Sequence, residues 1–405
     1  MSTLQIQSTA VAGGVAAPAG FRAAGVACGI KKAGLDVAVV ASDRPAAAAG
    51  VFTTNKTVAA PVIVSRDHLA RSGGRARGIA INSGCANACT GPAGLDVARA
   101  MAHALARCLD VDSDEVLTAS TGVIGVALDA ARVTRGIADA HAALVADGAS
   151  AARAIMTTDP FPKEAAVEID LGGSRIRVGG MAKGSGMIEP MMATMIGVLT
   201  TDAEVAPALL QRALKAACDT TFNAISVDGE CSTNDCVFAL ANGASGVSLG
   251  EADEPVLVDA LRQVCEPLAR AIVRGGEGAT KLVTVTVSGA RTDEEAMRAA
   301  RTIANSPLVK TAIHGADPNW GRLVAAAGRA GVTFEPASAS VDIGGIELFA
   351  RGIPHDERAA AASAHLAGAD VDVHVDLGTG GSGRARMWTC DLSAEYVRIN
   401  AEYRT

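Results

Sequence analysis

One stretch near the middle of the chain sets the terms for everything around it: M-A-K-G-S-G-M-I-E-P-M-M-A-T-M-I-G-V-L-T-T-D, residues 181–202. Gly184-Ser185-Gly186 is a loop signal that follows Lys183 and leads through Pro190 into an apolar run whose interior hydroxyl is Thr194. By composition that threonine is a core residue bonding a backbone carbonyl. The alternative is a nucleophile, and a threonine hydroxyl then needs a base within hydrogen-bond reach, usually histidine. The seven histidines (His68, His103, His141, His314, His355, His365 and His374) include none in a loop motif that pairs it with a serine or cysteine. An α-amino group titrates near pH ~8 in model peptides. Cleavage at Ala193–Thr194 would therefore supply a base on the threonine itself, and would divide the chain into two similar pieces, 1–193 and 194–405.

Length leaves the domain count open, because 405 residues are enough for two or three domains or for one intertwined unit. Hydrophobic residues make up 49% and charged residues 20%, a globular balance. With aromatics at 3%, the core has to be built from Ala, Val, Leu and Ile. A net charge of -7 without a Lys/Arg run argues against nucleic acid or an anionic membrane as main partner and favours small molecules. No stretch approaches the ~18 uninterrupted apolar residues of a membrane helix. The N-terminus lacks the basic and apolar blocks of a secretory signal, so the expectation is a cytoplasmic protein. Nine cysteines do not suggest a disulfide framework. The closest pairs, Cys85 with Cys89 and Cys231 with Cys236, complete no metal set, so no metal is expected. Cys85, Cys89 and Cys231 lie in polar turns where a reactive thiol is conceivable, but with no companion histidine burial is the simpler reading.

The chain otherwise alternates short strands and helices. Strands are expected at 35–41, 50–52, 61–65, 77–82 and 115–119, a hairpin over 164–178, and further strands at 282–288, 339–343, 346–349, 371–377 and 384–390. Helices are expected over 92–108, 129–154, 254–274 and from capping boxes at Thr201-x-x-Glu204 and Thr292-x-x-Glu295. The loop Asn82–Gly91 reads either as a binding loop or as an Asn-capped turn before a helix. Glu277, framed by glycines in G-G-E-G-A-T-K beside a strand, reads as a solvated turn residue or a ligand contact. No repeat, Walker A loop, G-x-S-x-G elbow or H-E-x-x-H pair is present.

K-G-S-G-M before M-A-T-M and T-T-D resembles the cleavage and nucleophile motif of the ornithine acetyltransferase family of arginine biosynthesis. Further matches run from A-P-A-G-F-R-A-A-G near the start through S-T-G-V-I-G, D-G-E-C-S-T-N-D-C and H-G-A-D-P-N-W-G-R to I-N-A-E-Y-R-T at the end, so the resemblance covers essentially the whole chain. Where members often have His-Pro-Asn, this chain has Glu189-Pro190-Met191, and Ile196 replaces a common leucine. The resemblance implies a layered α/β sandwich of mixed sheets and helices, built jointly by an alpha fragment (1–193) and a beta fragment (194–405) released by self-cleavage. It implies Thr194 as nucleophile, Thr121 and Gly122 as the oxyanion site, and Thr157, Lys183, Thr194, Glu277, Asn400 and Thr405 as substrate-binding residues. The implied reaction moves acetyl from N-acetylornithine to glutamate without a cofactor, with acetyl-CoA as an optional co-substrate for N-acetylglutamate synthesis. The assembly implied is a heterotetramer of two alpha and two beta fragments. A self-cleaving aminopeptidase or amidase, with water resolving the acyl-enzyme, is the alternative enzyme, and an uncut metabolite-binding or assembly protein the non-enzymatic one.

Overall fold

The computed structural model describes residues 7–189 and 195–402. Within them the chain forms two compact units, one comprising Met1–Asn223 and Glu230–Ile272, the other Ala224–Gly229 and Val273–Arg404.

The first unit is organised by the strand Val37–Phe52, which is 16 residues long. Its first half pairs with Phe21–Val26 and Arg75–Cys85, its second half with Cys236–Ala241. Pairing with Arg75–Cys85 slips between Ala41 and Ala46, around the exposed Asp43-Arg44-Pro45, where Pro45 has no N–H to give a ladder. The nine-stranded sheet bends there and folds back on itself. In order its strands are Gln7–Ala10, Lys163–Asp170, Arg175–Lys183, Ile196–Thr201, Cys236–Ala241, Val37–Phe52, Arg75–Cys85 and Val116–Val123, with Phe21–Val26 beside Val37–Phe52. The period-2 alternation of a strand supplies both faces. Ala38 and Val40 join Val198, Phe238 and Leu240 in a core between the two halves, whereas Val37, Val39 and Ala80 face Met101, Leu105 and Ile137 of the helices Gly91–Leu109 and Ala130–Ala142. Helix Pro207–Asp219 packs against Val37–Phe52 and Cys236–Ala241, and Val264 and Leu268 of Glu254–Arg274 lie over Gly180 of Arg175–Lys183. The result is the layered α/β sandwich that the resemblance implied.

Arg175–Lys183 pairs antiparallel with Ile196–Thr201, Lys183 opposite Ile196, so segments on both sides of the 193/194 bond build one sheet. Several local expectations are corrected. Residues 61–65 lie in the helix Ala60–Arg71, whose first turn holds Pro61. The separate strands expected at 35–41 and 50–52 are one strand running through Ala46–Ala49. The helix expected from Thr201 starts at Pro207, because the Asp202 carboxylate is taken by Arg177 N (2.7 Å) and Ala19 N (3.0 Å) and Glu204–Val205 forms a short strand. Residues 129–154 form two helices, Ala130–Ala142 and Ala149–Ala154.

The second unit is a six-stranded sheet in the order Ile353–Pro354, Ile346–Ala350, Ser340–Ile343, Asp370–Asp376, Leu282–Ala290, Gly383–Cys390. Val283, Val285 and Val287 alternate into a core shared with Ala300 and Ile303 of the helix Asp293–Ala304 and with Leu323 of Trp320–Gly328. Thr292 Oγ1 accepts from Glu295 N (3.2 Å), the cap expected there. Trp320 stacks on Phe349 with ring centroids 4.5 Å apart.

Candidate active site

In the first unit, strand ends from both halves of the folded sheet meet at one edge. Ser120, Thr121 and Gly122 lie in the last residues of the strand Val116–Val123, paired with Asn82, Ser83 and Gly84, and the turn expected there follows only at Ile124-Gly125; Arg175–Lys183 ends at Lys183. Gly122 has φ +127, and a Cβ built on it would lie 2.4 Å from the Gly84 carbonyl carbon, so glycine is required by both conformation and space. The strand end is braced by side chains: Ser120 Oγ donates to Asn82 Oδ1 (2.5 Å), Asn82 Nδ2 to Cys85 O (2.9 Å), and Asn234 Nδ2 to Ser120 O (2.8 Å) and Ala86 O (2.5 Å). Asn87 and Thr90 bond each other and Gly94 O, so in the Asn82–Gly91 loop these asparagines hold the turn and the following helix.

The Lys183 ammonium, buried, donates to Thr121 Oγ1 at 3.2 Å. A hydroxyl that accepts from an ammonium directs its own proton elsewhere and is a better donor for it. Beside it lies Asp159, whose Oδ1 accepts from Lys163 Nζ (2.6 Å) and Gly184 N (2.8 Å) and whose Oδ2 accepts from Thr157 N (3.0 Å). Burial works to raise the Asp159 pKa, but Lys183 and Lys163 outweigh it and hold the group at about 2. Burial in turn pushes Lys163 and the half-buried Lys31 below the ordinary lysine range, opposed by Asp159 in both and by Asp36 at Lys31. Lys31 Nζ donates to Met156 O (3.0 Å), next to Thr157. Asp235, just before the strand Cys236–Ala241, is raised well above the carboxylate range by burial despite Ser232 and Lys183, and among the described residues its buried Oδ2 has no hydrogen-bond partner. Lys31, Lys163 and Lys183 thus share this edge with Asp159, Asp36 and Asp235, and their ammonium groups suit a carboxylate ligand.

Thr121, Gly122, Thr157 and Lys183 are therefore brought together. Glu277 and Asn400 meet in the second unit, Asn400 Nδ2 donating to Glu277 Oε2 at 2.9 Å, and Glu277 is 7% exposed rather than a solvated turn residue. Ala193, Thr194 and Thr405 lie outside the described residues. Sequence reasoning passed over Asp159, Lys163, Lys31 and Asp235. The signal for Asp159 was present in Thr157-Thr158-Asp159, where a carboxyl two residues after a threonine can bond its N–H. Cys85 is buried, with Sγ toward Val126 O (3.3 Å) and its pKa raised by burial, which fits the structural reading of that thiol. Among the described residues no three His, Cys, Asp or Glu side chains come together as a metal set.

Burying lysines together with carboxyl groups costs folding free energy. A fold that bears this cost at the edge where a strand ends through a conformationally demanding glycine is that of a layered α/β enzyme. The ArgJ family profile matches residues 22–405. Two relatives, both named arginine biosynthesis bifunctional protein ArgJ, are 48% identical: the protein of Thermosynechococcus vestitus over 98% of this chain and 99% of its own, and that of Symbiobacterium thermophilum over 98% and 99%. The crystal structure of the same-named protein from Bacillus halodurans is 42% identical, with a TM-score of 0.48 over 50% of this chain and 97% of that one. The chain belongs to the ArgJ family, the ornithine acetyltransferases of arginine biosynthesis that its motifs resemble.

Proposed function

We propose that the chain transfers the acetyl group of N-acetylornithine to glutamate through an acetyl ester on Thr194. The observation that carries this reading is the Lys183 ammonium on the Thr121 hydroxyl beside Gly122. In the proposed first step Thr194 Oγ attacks the acetamide carbonyl while its proton passes to the α-amine that self-cleavage exposes. The Thr121 hydroxyl and the Gly122 N–H hold the developing oxyanion. The C–N bond breaks, the proton leaves with the ornithine amine, and the glutamate amine then attacks the ester to regenerate the threonine hydroxyl. By charge, Lys183 suits a substrate carboxylate and Glu277 a substrate ammonium, while Thr157, Asn400 and Thr405 supply hydrogen bonds.

Self-cleavage uses the same hydroxyl against the Ala193 carbonyl, with water resolving the ester. The relatives' name calls them bifunctional, and we extend this to acetyl-CoA as a second acetyl donor for glutamate. No cofactor enters the cycle. Two alpha and two beta fragments form the working assembly in the cytoplasm, and a sedimentation mass tests that composition. Ornithine release from N-acetylornithine should depend on added glutamate, since an acyl-enzyme without an acceptor stalls. Release at full rate without glutamate would contradict the transferase and favour the amidase.

A further inference from the structure

Glu277 sits in a glycine loop, Gly275–Lys281, that has little regular structure of its own, and the second unit fastens it at one point above all. The carboxylate of Asp391, whose side chain is fully buried, accepts four hydrogen bonds: Thr280 N (2.8 Å), Thr280 Oγ1 (2.6 Å), Lys281 N (2.9 Å) and His314 Nδ1 (2.7 Å). Lys281 Nζ returns to Ile313 O (2.6 Å) and His314 O (3.2 Å), closing a ring Asp391–Lys281–His314. Asp391 is itself held in place, because the buried Lys310 Nζ donates to Cys390 O (2.5 Å) and Thr389 Oγ1 (3.0 Å), and Leu392 N donates to Lys310 O (3.3 Å). Nearer to Glu277, Ser393 Oγ donates to Gly278 O (2.6 Å). Gly278 has φ +68, and a Cβ on it would lie 2.4 Å from Tyr396 N, so the loop runs against the helix that carries Asn400. Burial works against the Asp391 carboxylate, but the Thr280 and His314 bonds hold its pKa below the ordinary range.

We infer that Asp391 is the positioning residue for Glu277: its four-bond clamp on Thr280, Lys281 and His314 sets the loop so that the Glu277 carboxylate meets substrate in a fixed orientation. This rests on the reading of Glu277 as a substrate contact. A single ionised carboxylate serves two backbone N–H groups, a hydroxyl and an imidazole, and an amide in its place has only one acceptor oxygen for them. Asp391→Asn, assayed as the processed full-length enzyme, should raise KM for N-acetylornithine at least tenfold while kcat falls less than threefold and self-cleavage remains complete. His314→Gln, which disturbs one of the four bonds, should raise KM two- to fivefold. Glu277→Gln serves as the reference, and its KM increase should not grow when Asp391→Asn is added. An Asp391→Asn enzyme with unchanged KM and a reduced titre of active sites overturns the proposal and makes the residue a stability element. Should Glu277→Gln itself leave KM unchanged, the substrate role of Glu277 fails, and the positioning role with it.

Discussion

At the residue scale the site is defined by an ion cluster. Lys183 bridges Thr121 and the field of Asp159. Lys183→Met should lower kcat/KM for N-acetylornithine by about 10- to 100-fold, the loss of a charge-assisted contact of ~1.5–3 kcal/mol. Asp159 makes a separate prediction about pH. Its folded pKa of about 2 lies below the ordinary carboxylate value, so the unfolded chain binds the proton more readily. The stabilisation, on the order of 2 kcal/mol, is present above the unfolded value near pH ~4 and is lost as pH falls toward 2. Asp159→Asn strands Lys163 and should cost roughly 3–5 kcal/mol at neutral pH. The gap between the two proteins' stabilities, followed by urea denaturation from pH 7 to 2, should narrow by about 2 kcal/mol toward the acid end, and a constant gap would contradict the assignment. Thr121, Lys183 and Glu277 could be singled out in the sequence because each stands in a motif. Lys163 and Lys31 were not, since nothing in a lysine's local sequence says that it will be buried against an acid from another element.

At the level of elements, legibility followed how local the determining interaction is. The Thr292 cap is made within one turn and read correctly. The matching Thr-x-x-Glu spacing at Thr201 failed because Asp202 is claimed by backbone N–H groups of Arg177 and Ala19, far away in sequence. The Ala46–Ala49 strand was missed because alanine is a poor strand former, whereas its small side chain is what the close layers around it need. Thr292→Ala should cost about 1 kcal/mol in chemical denaturation without touching turnover. Gly122→Ala is expected to be far more damaging, at least about 2 kcal/mol, since it adds a Cβ against the Gly84 backbone at a positive φ. A fully stable Gly122→Ala enzyme with wild-type rate would show that the Gly122 backbone does not serve the reaction.

For the whole molecule, sheet pairing across the 193/194 bond is the property that would hold the two fragments of the proposed self-cleavage together. Lys183 lies opposite Ile196, and Val37–Phe52 pairs with Cys236–Ala241, so fragments 1–193 and 194–405 should stay together in native mass measurements and separate only on denaturation. The α/β class was readable from alternating strand and helix patterns, but not the fold-back of the first sheet, which depends on a register slip within one strand. The central claim is that Thr194 cleaves the chain and then carries the acetyl group. Intact-mass spectrometry of wild type and Thr194→Ala after incubation with N-acetylornithine tests it most directly. The account predicts two fragments with an acetyl adduct on Thr194 for the wild type, and one uncut, folded, unacetylated chain for the variant. Normal cleavage of Thr194→Ala, or an acetyl group on another residue, would contradict it.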